Sequence, residues 1–140
     1  MILYLDTSSL VKLYVSEDGS DEARRLVAEA SLVATSIVAY PEARSAFARL
    51  RRERAVTVRE AELLKADLEN DWQHYLALDV SEPIWRRAGD LAERHALRGF
   101  DSLHLASFLS LVSADLGETV QFSAFDERLN AAALVEAASR

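Results

Sequence analysis

Short apolar runs alternate with longer segments of helical spacing, and this alternation limits the fold more than any other feature of the chain. The runs are "ILYLD" at 2–6, "SLVATS" at 31–36, "LALDV" at 76–80 and "TVQFSAFD", which ends at Asp126. Their lengths suit buried strands. Between them lie "DEARRLVAEA", with Ser20 as its expected cap, and "IVAYPEARSAFARLRRER", where Pro41 fits only the first helical turn. "VREAELLKADLENDWQHYL" puts Ala61, Leu64, Leu68 and Trp72 on one face. Ser81 and Pro83 open "SEPIWRRAGDLAERHAL", which Gly99 is expected to end. The segment after Asp101 is apolar on nearly every side and reads as a buried helix. "ERLNAAALVEAA" is the last helix. Strands separated by helices predict an α/β fold, a mainly parallel sheet covered on both faces. The chain's 140 residues, half of them hydrophobic, with few glycines and no linker tract, fit one domain spanning 1–140.

Ligands of such sheets sit beyond the carboxyl ends of the strands. Asp6 and Asp126 close two of the runs, and Glu42 and Asp101 fall in the first turns of helices expected to begin near that edge. Each acid alone has an ordinary reading as a cap or a dipole partner. Four from separate segments at one edge are not explained that way. Like charges brought together destabilise a fold unless a cation intervenes. Oxygen donors with no cysteine in the chain favour Mg²⁺ or Mn²⁺ over zinc and suit phosphoryl chemistry. His104 lies on the buried helix and reads as a hydrogen-bonded core histidine, His74 and His95 as surface residues, and Trp72 and Trp85 as core.

The formal charge is 16 − 23 = −7. An acidic total argues weakly against a nucleic-acid partner. However, the stretch from Arg44 to Arg59 holds six arginines against the single acid Glu53. Arg49, Arg51, Arg52 and Arg54 are candidate nucleic-acid contacts, or else a solvated helix face. The absence of cysteine excludes disulfides and thiolate sites and fits a cytoplasmic protein. No signal peptide or membrane span is expected.

"YLDTSSLVKLY", "TSIVAYPEARSAFARL", "RGFDSLHLAS" and "FSAFDERLNAAA", in this order and spacing, resemble the PIN-domain ribonucleases, specifically the VapC-like toxins of prokaryotic toxin–antitoxin pairs. The resemblance spans essentially the whole chain. It implies a three-layer α/β/α PIN-like fold and metal-dependent endoribonuclease activity, with metal-activated water cleaving cellular RNA. It places the acidic site on Asp6, Glu42, Asp101 and Asp126, with Ser8 supporting the first acid. One departure is Ala124, where many relatives carry Thr or Ser; Ser123, one position earlier in a strand, would face the other way. The resemblance also implies a small antitoxin as partner and a homodimer. The expected partner groove is the helix from Ile37 to Arg52 with Leu63, Leu64 and Leu68, and a basic antitoxin side chain would sit against the acids.

Two other classes remain to be weighed. A haloacid-dehalogenase-like phosphatase needs a second acid two residues after the first, where this chain has Ser8. A catalytically silent PIN-like module would bind RNA or protein without needing all four acids.

Overall fold

In the computed structural model, which describes residues 1–139, four strands form one parallel sheet. They are β1 (Ile2–Leu5), β2 (Leu32–Ser36), β3 (Leu76–Leu78) and β4 (Val120–Ser123), in the order β3-β2-β1-β4. Arg140, the last residue of the expected domain, lies outside the described residues. β1 pairs with β2 on one side, Ile2 opposite Leu32, and with β4 on the other, Ile2 opposite Val120. Its residues are buried throughout, which is why "ILYL" is apolar without alternation. Ile2 and Tyr4 point into one core, and Leu3 and Leu5 into a second core on the opposite face.

Among the described residues, seven helices supply the outer layers. α1 (Thr7–Lys12), α2 (Ser20–Glu29), α3 (Ala39–Arg52) and α4 (Val58–Trp72) bury Leu10, Leu26, Ala43, Phe47 and Leu68 against the Leu3/Leu5 face. α5 (Glu82–His95), α6 (Gly99–Ser113) and α7 (Glu127–Ala138) pack Leu91, Leu105, Leu109 and Leu129 against the other. The expected three-layer α/β/α architecture is the one observed. α6 is buried on nearly every side, as its composition requires. Among the described residues no helix is long and apolar enough to cross a membrane.

Several local expectations are corrected. The last strand ends at Ser123, not Asp126; Ala124 and Phe125 lead out of it, and Asp126 caps α7 by accepting from the Leu129 amide at 2.9 Å. Gly99 does not end α5 but begins α6; Ala96, with φ 54°, makes the left-handed turn instead. Ser20 is the first residue of α2 rather than its cap, a place taken by Gly19 at φ 91°. Its hydroxyl instead donates to the Val15 carbonyl and accepts from the Glu17 amide. α1 was not expected, because six residues are too few for a helical period to register. Trp85 is not core, being 46% exposed. His95 is not on the surface; it lies largely buried beside Glu136.

Strand order reverses around β1. The chain leaves β1 for β2 and β3 on one side, then crosses back to place β4 on the other. The crevice of such a sheet opens beyond the carboxyl end of the strand at the reversal. Asp6 follows directly on β1 there.

Candidate active site

Asp6 is buried, at 4% exposure, and serves as the N-cap of α1. Its Oδ1 accepts from the Ser9 amide at 2.9 Å and from the Ser8 hydroxyl at 2.8 Å. The sequence "DTSS" is the reason: a carboxylate at the cap with hydroxyls two and three residues on turns the chain sharply out of the sheet. Burial raises the pKa of Asp6, and the donors from Ser9 and Ser8 and the neighbouring His104 offset this only in part. Ser8 thus has the supporting contact expected of it. Ser9 turns the other way. Its hydroxyl donates to the Ser123 carbonyl at 2.8 Å and lies 3.0 Å from the Ser123 hydroxyl, stitching α1 to β4.

Glu42 stands in the first turn of α3 and is held by a chain of hydrogen bonds rising from the core. Tyr4 Oη is 2.8 Å from His104 Nδ1, His104 Nε2 is 3.0 Å from Thr7 Oγ1, and Thr7 Oγ1 donates to Glu42 Oε1 at 2.5 Å. Hydrogen on Nε2 of His104 satisfies every member: Tyr4 donates to Nδ1, and Nε2 donates to Thr7. His104 Nε2 also lies 3.4 Å from Glu42 Oε1. Burial raises the pKa of Glu42, but the bonds from His104 and Thr7 outweigh it, and the carboxyl ends below its ordinary value. His104 is therefore a core histidine, as expected, yet one that helps hold the Glu42 carboxylate in place. Thr7 was missed. Its only signal in the sequence is adjacency to Asp6.

Asp101 lies in the first turn of α6, 24% exposed, with Arg98 Nε 3.5 Å away. Glu42 and Asp101 line one cleft of about 780 Å³. Asp101 and Asp126 line a second of about 510 Å³, and Glu42 with Thr7 and Ser8 a third of about 720 Å³. Arg98 borders all three, and sequence reasoning missed it too. Of the candidate arginines, Arg49 shares a cleft with Glu42, whereas Arg51 and Arg54 line a separate depression beside Thr57 and Glu60. Arg52 is exposed on α3.

The donor chemistry suits a hard divalent cation, since carboxylates and hydroxyls line the edge and the chain has no thiolate. A buried carboxylate whose protein donors do not offset its desolvation is also the kind of group that a cation stabilises. As the side chains stand, no three His, Asp or Glu among the described residues are gathered tightly enough to share an ion. Glu42 is engaged by Thr7 and His104 instead.

Comparison with known proteins agrees in sequence and in fold. The family model described as PIN domain matches residues 3–133. Ribonucleases VapC45 and VapC49 of two Mycobacterium tuberculosis strains are each 38% identical to this chain over 136 residues, covering 94% of it and 89% of theirs. Among solved structures, M. tuberculosis VapC20, described as a toxin cleaving the sarcin–ricin loop, superposes with a TM-score of 0.67 at 21% identity, covering 93% of this chain and 94% of that one. FitAcB from Neisseria gonorrhoeae superposes with a TM-score of 0.66 at 19% identity, covering 95% and 93%.

Proposed function

The chain belongs to the PIN-domain family and is a ribonuclease of its VapC branch, and from that premise we propose that it is one PIN domain whose site is Asp6, Glu42, Asp101 and Asp126. One observation carries this assignment. Glu42 shares a cleft with Asp101, and Asp101 shares another with Asp126, at the sheet edge where buried Asp6 follows β1. The phosphatase reading has no support here, because the position two residues after Asp6 is a serine that donates to Asp6.

Asp6 and Asp101, with Asp126 and Glu42, would hold Mg²⁺ or Mn²⁺. Such an ion supplies Lewis acidity toward the phosphate and a nucleophile at neutral pH. The protein's own part is placement. Ser8 and Ser9 fix Asp6 in one orientation. Thr7 and His104 keep Glu42 ionised and aimed from the core side of the site. Arg98, largely exposed beside Asp101, is available to a substrate phosphate. Arg49 extends the same wall, whereas Arg51, Arg52 and Arg54 contribute charge at longer range.

In a cell the enzyme works in the cytoplasm as the toxin of a pair. A small antitoxin covers α3 and the Leu63/Leu64 side of α4, whereas Leu68, also expected in that groove, is fully buried in the core; the antitoxin sets an Arg or Lys against the acids, and the toxin itself is a homodimer. Leu63 is 55% exposed and Ile37 46%, apolar area of the kind a partner helix covers.

Cleavage of end-labelled RNA tests the site. Asp101→Asn is expected to lower the rate by at least about a hundredfold, and EDTA to abolish it until Mg²⁺ or Mn²⁺ is restored. Arg49→Ala should weaken RNA binding and lower its salt slope by about one, more than Arg51→Ala does. Full-rate cleavage by Asp101→Asn, or in EDTA, would reject the carboxylate site.

A further inference from the structure

The cleft between α5 and α6 has features that a carboxylate site does not require. Trp85 and Gly89 from α5 line it, with Phe100 and Leu103 from α6, and Glu42 and Asp101 stand within it. Its volume of about 780 Å³ lies in the range of small-molecule sites. Trp85 and Phe100 leave 46% and 55% of their surface in water. Large aromatics in the open beside charged groups point to a ligand with an apolar face. Trp85 is also braced: the Arg86 guanidinium lies 4.8 Å from its ring centroid, and Arg86 in turn donates to Glu82 at 2.8 Å.

Gly89 gives the second, independent sign. It sits inside α5, where glycine is the weakest helix former after proline. Its φ is not positive, and a Cβ built there would meet nothing within 4 Å. Neither backbone conformation nor packing demands a glycine. What the missing side chain leaves is space in the cleft.

We propose that this cleft is a nucleobase subsite. It takes one unpaired base of a single-stranded RNA, next to the phosphate that the carboxylates act on, with Trp85 and Phe100 as its stacking surfaces. The proposal rests on the ribonuclease reading above. A flat aromatic base suits a cleft lined by two exposed rings and small residues, and its attached phosphate would then fall toward Asp101 and Arg98 at the same cleft. A base stacked inside a duplex cannot enter, so the subsite selects unpaired RNA. Trp85 and Phe100 become specificity residues for the reaction, and Gly89 keeps the slot open.

The test uses a single-stranded RNA spanning one site that the wild-type protein cuts, with an abasic nucleotide substituted at each position around the cut in turn. The expected profile has one position where losing the base lowers kcat/KM by about tenfold or more, chiefly through KM. Trp85→Ala, Phe100→Ala and Gly89→Leu should each raise KM for the intact RNA and erase that positional penalty. Gly89→Leu should melt no lower than wild type, which separates a filled cleft from a damaged fold. Binding is read apart from cleavage by tryptophan fluorescence on titration with oligo(A) or oligo(U). Wild type should quench and Trp85→Phe should not, leaving Trp72 as the silent reporter. Quenching without any cleavage would keep the subsite and sink the ribonuclease reading. Cleavage with a flat abasic profile, or a penalty that survives all three substitutions, would overturn the subsite. So would loss of an oligomer in Trp85→Ala with the profile unchanged, because the cleft would then be a contact between copies of the chain.

Discussion

Asp6 carries two duties that pull in opposite directions. As a cap it receives two hydrogen bonds and starts α1. As a buried charge it costs stability, and burial raises its pKa. Asparagine keeps an oxygen for the Ser9 amide and removes the charge. Asp6→Asn is therefore expected to melt a few degrees higher than wild type at neutral pH without divalent ions, while losing RNA cleavage. Calorimetry checks this, and a variant that melts lower would mean that the ionised cap is worth more than its desolvation costs. Asp6, Glu42 and Asp126 stand out in the sequence because each sits near a junction between strand and helix, and Asp101 because it stands at the mouth of a buried helix. Thr7 and Arg98 do not. A threonine beside an acid and an arginine before a helix have many ordinary uses, and only the folded geometry brings Thr7 within 2.5 Å of Glu42 and Arg98 to the rim of every cleft around the site.

At the scale of elements, the sequence marked most strands and helices but misplaced several ends. Helix interiors show themselves through apolar period, as in α4, where Leu68 is fully buried and Leu64 and Trp72 pack beside it. Ends depend on one or two residues and on tertiary contacts. Gly99 looked like a stop and was a start, because the left-handed turn fell on Ala96. The position of α7 rests on a contact that no period reveals. Glu136, 7% exposed, bonds to Arg94 and lies 3.4 Å from His95, both on α5. Burial raises its pKa, but the bonds from His95 and Arg94 and the Arg94 charge outweigh this and leave it below 4.5. A depressed carboxyl pKa adds stability above the unfolded value, and that stability is lost as pH falls through the folded one. Glu136→Gln should thus destabilise by about 1–3 kcal/mol at pH 7, with the difference from wild type shrinking below about pH 4.5. Denaturant melts across that range measure it; a gap that stays constant would show that packing, not charge, holds α7.

At the scale of the whole molecule, the parallel sheet was legible from alternation alone, but its strand order was not. Apolar runs state that strands exist, not which of them are neighbours. The order matters because β1, the first strand in the chain, is completed on one side by β4, the last of the four. The Ile2 amide bonds to the Thr119 carbonyl, and the Asp6 amide to the Ser123 carbonyl at 3.1 Å. A chain cut after Glu118 lacks β4 and α7 and is expected to show no cooperative melt and no nuclease activity; a cooperative transition in that fragment would contradict the dependence.

That closing pair of strands also acts as a clock. Asp6 is synthesised long before the strand that completes its surroundings, so the acid reaches its finished setting only once β4 has followed.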